Sequence, residues 1–475
     1  MAGFAGRPCE ITHPDGSVTE SSFPDAISAH QPFLDIAAMS FPAGEGRAHL
    51  EFAGEVFETE DHRNWSDASY KTYCTPITLP FPVEVQPGDS LRQSVRLTLA
   101  DVPLIPATQV AEPATPGPVI IDVSTERSPL PSLGVHLTDP AWSAAELADL
   151  RTLGLSHLHV DLPVGAADAP DRIRVATDRA RSLGARLFVA LQVDHDASQG
   201  VAEALGDAGD TLAGIWAVDP EQKVTTRETT DAWRSRLGAD LPWGTGTNLY
   251  FTELNRQPPD TTGLDWTTFS VNPQVHSFDD RTVLQNTATL EVIAQEAPRL
   301  AGRTRVHVGP VSLRPRFNPN ATDPASDVSS TDLPADVDAR QRTWFAAAWA
   351  ALALGSISTP GTVAAVTLFE DLGWKGLRAR DSGAEIPAFP SLPGETFPVA
   401  DVLRAVRGAT SVVPTVSSDP ECVDALIVEG ESGLRAIIAN LTDGAREVRL
   451  AGAVSERLEV PPHTIAFIDP PRRTT

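Results

Sequence analysis

Cysteine is scarce in this chain of 475 residues: there are three, Cys9, Cys74 and Cys422. They are odd in number and far apart. They offer neither a disulfide framework nor the paired spacing of a zinc site. Long hydrophobic runs are missing as well. No stretch approaches the ~20 apolar residues of a membrane helix, and the start lacks a basic segment followed by an apolar one. Positive charge is the third shortage. Lys and Arg number 37 against 63 Asp and Glu, a formal net charge of -26. That balance speaks against nucleic acid and anionic membranes as partners, although a few arginines suffice to hold a small anion locally. Three catalytic signatures are absent too. There is no G-x-S-x-G elbow for a hydrolase serine, no G-x-G-x-x-G behind a first strand, and no H-E-x-x-H. His157-Leu158-His159 has H-x-H spacing, but it falls near the start of a strand, away from the rim where barrel chemistry takes place. Glu253, His276 and Asp279 would be the residues for a metal site, and no spacing marks them as one. The expectation is a cytoplasmic enzyme with no cofactor and no metal.

What is present divides the chain in three. Apolar residues make up 41%, enough for large buried cores, and the length exceeds one ordinary domain. Residues 1–118 read as an N-terminal β-domain followed by a Pro-rich linker. Short apolar alternations there are broken by turn signals such as Pro14-Asp15-Gly16 and Pro87-Gly88-Asp89. Leu91 to Leu99 alternates cleanly and is expected to be a half-buried strand. Residues 119–408 change texture to strand-then-helix, repeated. Strands are expected at Leu133–Leu137, His157–Leu162, Arg186–Val193, Gly214–Val218, Trp243–Asn248, Thr267–Asn272, Arg305–Val308 and Val363–Phe369. Helices are expected between them, among them one opened by the capping box at Ser143, one over Arg281–Leu300 and one over Ala339–Leu354. Eight such units predict a (β/α)8 TIM barrel, the catalytic part. Residues 409–475 return to strands separated by Gly-Glu-Ser-Gly, Thr-Asp-Gly and Pro-Pro turns, and read as a C-terminal β-sandwich.

In a barrel the chemistry lies where strands end at their carboxyl side. The first three strands offer His136, Asp161, Gln192, Asp194 and His195 there. The fourth offers Asp219 and Glu221, and the fifth Asn248, Tyr250, Glu253 and Asn255. The sixth adds Asn272, Gln274, His276, Asp279 and Asp280; the seventh leads to Arg314, Arg316, Asn318 and Asn320. The eighth ends in Glu370-Asp371, followed by Trp374 and Lys375. Glu370, Glu253 and His276 are the expected proton-transfer groups, with Glu370 fixed by its strand and desolvated by Phe369, Leu372 and Trp374. Arg314 or Arg316 suits an oxyanion or a product carboxylate; Asn248, Asn272 and Trp374 suit a hydroxylated ligand. Asp279 and Asp280 read better as the start of a helix than as catalysts.

One stretch stands out from this pattern. Glu58 to Leu79 reads ETEDHRNWSDASYKTYCTPITL, in which charges and amides alternate with Trp65, Tyr70 and Tyr73. Sugar sites combine aromatic faces with carboxylates and amides in this way. Asp61, Arg63, Asn64, Trp65, Asp67 and Lys71 are therefore expected to bind substrate, on a loop leaning over the barrel mouth. A charged hairpin tip with aromatic packing beneath it would read the same.

The same stretch resembles the bacterial D-apionate lactonase family, whose members carry an E-x-E-D-x-R-N-W-x-D-A-S-[FY]-K-T-Y-C-T-P run. GRPCEITHPDGSVTESSFPDAISAHQPFLDI, TNLYFTELNR and SVNPQVHSFDD are similar to that family too, and the resemblance spans the chain. It implies a lactonase, a carboxylic ester hydrolase that opens D-apionolactone to D-apionate in D-apiose catabolism. Family members also carry residues ahead of the point where this chain starts, which implies that the first β-domain is incomplete. Read from the residues alone, the chain is a sugar-acting barrel enzyme. A barrel glycoside hydrolase with paired carboxylates and a non-catalytic carbohydrate-binding homologue remain alternatives.

Overall fold

The structure is a computed structural model that describes residues 3–80, 83–100, 117–138, 142–193, 195–316, 333–383 and 386–469. Asp194, Asn318 and Asn320 lie outside these residues. The chain forms two compact units, Met1–Pro116 and Gly117–Thr475.

The first unit is built from two antiparallel sheets. One has five strands in the order Val18–Ser22, Pro8–Thr12, Ala38–Ala43, Gly46–Ala53, Ser94–Ala100; the other has three, Phe33–Ile36, Phe57–Asp61 and Tyr70–Tyr73. Phe23, Phe33, Ile36, Met39, Phe41 and Phe57 join in one buried core. The half-buried strand expected over Leu91–Leu99 is corrected. It runs from Ser94 to Ala100 and is exposed throughout. Its register sets Val95, Leu97 and Leu99 opposite Phe52, Leu50 and Ala48. The three apolar side chains thus share the core-facing side of the sheet, yet at the edge they remain 57–60% exposed.

The second unit contains a single sheet of eight parallel strands. They are Ser132–His136, His157–Pro163, Arg186–Gln192, Leu212–Val218, Gly244–Tyr250, Trp266–Val271, Arg305–Val311 and Val363–Glu370, paired in the order four, three, two, one, eight, seven, six, five. A parallel bridge between Ile215 and Trp243 joins the fourth strand to the entry of the fifth and closes the cylinder. This is the expected (β/α)8 barrel, and each strand falls where its apolar run predicts. Strands buried on both faces need such runs.

The helices follow local chemistry. Ser143 and Glu146 form the capping box that opens Ala144–Thr152, and Gly184 in the left-handed region ends Ala169–Leu183. The long helix expected over Arg281–Leu300 is instead two, Asp280–Gln285 and Thr287–Ala301, divided at Asn286. Asp279 caps the first of them through Thr282 N. The helix expected from Ala339 starts at Trp344, because Thr343 takes an extended conformation and caps Phe345 N. That helix, Trp344–Ser358, is apolar all round and nearly all buried. It packs between barrel helices and the strand Val423–Gly430 of the C-terminal sheets, so no face of it needs to be polar.

Those C-terminal sheets have five and four strands around a shared apolar core. The four-stranded sheet includes Val119–Val123, which runs parallel to Arg446–Gly452. Chain from before the barrel thus completes the sandwich after it. Among the described residues no helix is long and apolar enough to cross a membrane.

Candidate active site

The second barrel strand sets up the site. Its alternation points His157, His159 and Asp161 to the same side, and all three are turned away from solvent. His157 Nε2 meets Thr367 Oγ1 at 2.9 Å. His307 Nε2 meets the same hydroxyl at 2.8 Å, and its Nδ1 meets Thr268 Oγ1 at 2.8 Å. Burial lowers His157 to about 3 and His159 to about 4, and takes His307 well below its usual range. Burial thus favours the uncharged form of all three. They form a polar column in the barrel core.

Asp161 is the next step up the column. Its carboxylate is ion-paired with Arg316 Nη2 from the chain beyond the seventh strand. His136 Nε2, at the end of the first strand, lies 3.4 Å from Asp161 Oδ2, and His159 Nε2 lies 3.4 Å from Oδ1. Arg316 Nη2 is 3.4 Å from His136 Nε2. Burial acts to raise Asp161, but the opposing effects, led by the Arg316 charge, outweigh it and hold the carboxyl well below the usual range.

The eighth strand ends in a strained residue. Phe369 has φ +56, a conformation that costs a bulky side chain on the order of 1–3 kcal/mol. Glu370 follows it. Phe369 and Leu372 are buried, as expected, but the apolar setting expected for Glu370 is corrected: Lys375 Nζ lies 2.8 Å from Glu370 Oε1 and 2.6 Å from Asp336 Oδ2. Burial would lower Lys375, and the two carboxylates outweigh it and raise it. Trp374 packs on Phe389, ring centroids 5.9 Å apart. Asp371 is fully buried and accepts from Thr138 Oγ1 at 2.8 Å and Trp142 Nε1 at 2.7 Å, which ties the first loop to the eighth strand.

Above the third to fifth strands opens a cleft of about 570 Å³, lined by Gln192, Asp219, Lys223, Thr247 and Asn248 among others. Gly246 allows it. Its φ is +131, and a Cβ there would meet Thr268 O at 2.1 Å. The register against the sixth strand shifts just after it, and such an irregularity re-aims the residues that follow. Trp216 Nε1 reaches Asn248 Oδ1 at 3.5 Å. Glu253 lies in the short helix Phe251–Arg256, buried, with Lys223 Nζ 3.9 Å from its Oε1.

The sixth and seventh strand ends serve the fold first. Asn272 Oδ1 accepts from Gln274 N at 3.1 Å, and Tyr250 bonds Asn272. Asp338 binds Gln274, Arg314 and Arg340. Burial would raise Asp338, but hydrogen bonds from Arg340 and Gln274 lower it to about 2. His276 is exposed on the loop after the sixth strand.

In the first unit, the Glu58–Leu79 stretch is a hairpin with a 3-10 turn, His62–Trp65, at its tip. Asp61, Arg63, Asn64 and Asp67 are buried. Arg63 pairs with Asp61 at 2.7 Å and donates to the carbonyls of Pro24, Asp25 and Ala26. Asn64 Nδ2 donates to the carbonyls of Ser28 and Asp61, and Glu58 accepts from Tyr73 and from Ile77 N. Of the residues expected to bind substrate, Trp65 and Lys71 are the ones not buried in this framework. His62 Nε2 lies 2.8 Å from Glu60 Oε1, and Lys71 Nζ 3.6 Å from the same oxygen.

The structure thus brings Arg316 to Asp161 and His136, Glu370 to Lys375, and Glu253 to Lys223. It separates Arg314 into the Asp338 cluster. Sequence reasoning noticed His136 and Asp161 as strand ends but did not select them. The signal was present: His157, His159 and Asp161 fall two residues apart on one strand, so the H-x-H run points to the mouth once it is extended by one step.

Two family matches cover most of the chain. Residues 1–102 match the D-apionate lactonase N-terminal domain, and residues 132–411 the D-apionate lactonase TIM barrel domain. A D-apionate lactonase of Brucella anthropi is 26% identical over 491 residues, covering 95% of this chain and 75% of that protein. A solved bifunctional glucanase-xylanase from a metagenome library superposes with a TM-score of 0.50 at 11% identity, over 75% of this chain and 99% of that one. A family 51 α-L-arabinofuranosidase of Bifidobacterium longum gives 0.48 at 8% identity, over 71% and 89%. At 11% identity the likeness to the glucanase-xylanase concerns the fold alone. The chain belongs to the D-apionate lactonase family.

Proposed function

We propose that this chain hydrolyses a sugar lactone at the carboxyl end of its barrel, and that the lactone is D-apionolactone, opened to D-apionate. The relative from Brucella anthropi, named for that activity, supports the reading. The observation that carries it is the pairing at the rim: Asp161 with Arg316, Glu370 with Lys375, Glu253 with Lys223. Opening a lactone builds up negative charge, first as an oxyanion and then as a carboxylate. Cations near the reacting carbon stabilise both. A paired-carboxylate glycosidase needs instead one carboxylic acid kept protonated near a second carboxylate. In a chain of net charge -26, cations gathered on one rim are informative.

In this proposal Glu370 takes the proton of the attacking water and Arg316 faces the oxyanion. Glu253 and His276 are the proposed sources of a proton for the departing ring oxygen. Asn248, Asn272 and Trp374 hold the sugar. The test is acid release in a weakly buffered D-apionolactone solution, against the spontaneous rate. Acceleration is expected. No effect on lactones together with release of nitrophenol from aryl glycosides would replace this reading by the glycosidase one.

A further inference from the structure

Asp161 gathers one arginine and two imidazoles around a single carboxylate. It is a carboxylate and accepts only. Arg316 Nη2 donates to its Oδ2, and His136 Nε2 lies 3.4 Å from the same oxygen. His136 Nε2 also lies 3.4 Å from Arg316 Nη2. One ring nitrogen cannot donate to Asp161 and accept from Arg316 together. With Arg316 in place, a neutral His136 suits the arrangement, its Nε2 lone pair turned to the guanidinium. If Arg316 moves towards another anion, Asp161 is left buried without its counter-charge, at a penalty of several kcal/mol. A proton on His136 Nε2 removes that penalty, because the imidazolium then donates to Asp161. Among the described residues, the other charged or titratable groups beside His136 include Asp371, whose backbone N–H donates to His136 O at 2.9 Å; His159, with ring centroids 5.4 Å apart; and Glu370, its register partner on the eighth strand. His159 is kept neutral by burial, and Glu370 is engaged by Lys375. Neither competes for Asp161 as a cation. Among the described residues, His136 Nδ1 is buried without a hydrogen-bond partner.

We propose that Asp161 is a positioning residue shared by two alternating cations: Arg316 in the resting enzyme, and protonated His136 once the oxyanion or product carboxylate draws Arg316 onto itself. This rests on the lactone reading above and adds to it a coupling between anion binding and proton uptake. The proton comes from solvent and returns to solvent on product release, so the reaction stays balanced.

The test is calorimetry of D-apionate binding to the intact chain at neutral pH, in two buffers of different ionisation enthalpy. The proposal expects binding accompanied by uptake of a proton, up to one per site. His136→Asn should lose the uptake and weaken binding about tenfold, since the compensating charge is gone. Asp161→Asn should also lose it, since no carboxylate then calls for a proton. Wild-type binding without uptake would overturn the proposal, as would uptake that persists in His136→Asn. Melting curves of both variants separate these results from unfolding. A wild-type chain that neither binds D-apionate nor opens D-apionolactone would bring down the functional reading itself, which is a different result from binding without uptake.

Discussion

The N-terminal hairpin and the barrel mouth carry comparable loads of charge, and they use it in opposite ways. In the hairpin, Asp61 and Arg63 are buried against each other and against backbone carbonyls, so the charges build the turn. At the mouth, the cations that meet Asp161, Glu370 and Glu253 come from loops: Arg316, Lys375 and Lys223 lie beyond the strand ends. A cation on a loop can be exchanged for a ligand, whereas one locked to several carbonyls cannot. Charge density alone therefore does not locate chemistry. What counts is whether the fold needs a partner where it stands.

Substitutions on the two sides sharpen this contrast. The largest effect belongs to Glu370→Gln, which keeps the shape and removes the ionisable group. Steady-state hydrolysis should fall by roughly 10²–10⁴-fold with little change in melting temperature. Full activity with earlier unfolding would make Glu370 a structural partner of Lys375. Arg316→Ala comes next. Loss of an oxyanion donor is expected to lower kcat by about 10²–10³-fold; a change confined to KM would show that the guanidinium serves ground-state binding only.

In the hairpin the contrast reverses. Arg63→Ala strands a buried Asp61 carboxylate and should destabilise the protein by about 3–5 kcal/mol in denaturant unfolding. Lys71 pairs with Glu60 while 48% exposed, so Lys71→Ala should change stability by less than about 1 kcal/mol. Equal effects of the two substitutions would erase the distinction between scaffold and surface.

A smaller effect involves pH. Burial pushes Asp424, on the strand Val423–Gly430, up to about 6. The native state then holds a proton that the unfolded chain has released. Stability from this group is present in mild acid and declines as pH rises towards and through about 6. Asp424→Asn should flatten that part of the stability–pH curve, worth on the order of 3 kcal/mol. A curve of unchanged slope would assign the pH dependence elsewhere.

Much of the fold was legible because its signals are local. Buried parallel strands are apolar runs, and Ser143, Gly184 and Gly238 mark helix ends through side-chain or backbone chemistry. The short helices Val201–Ala208 and Phe251–Arg256 were not read, since neither has a side-chain cap. Non-local pairing escaped as well. Nothing near Val119 says that its partner is Arg446–Gly452, and nothing near Leu97 says that its face of the sheet is left uncovered. The site shows the same limit. Glu370 was placed correctly at a strand end, but its contact with Lys375 depends on how the chain turns after Asp371. The Arg316–Asp161 pair joins residues 155 positions apart, and only closure of the barrel brings them together.

The central claim is that this barrel cleaves the acyl–oxygen bond of a sugar lactone. Turnover of D-apionolactone in ¹⁸O-water, with the product analysed by mass spectrometry, tests it most directly. The account predicts one ¹⁸O atom in the carboxylate of D-apionate, formed faster than in the enzyme-free control. Label on a carbinol carbon, or no enzyme-dependent label at all, would contradict it.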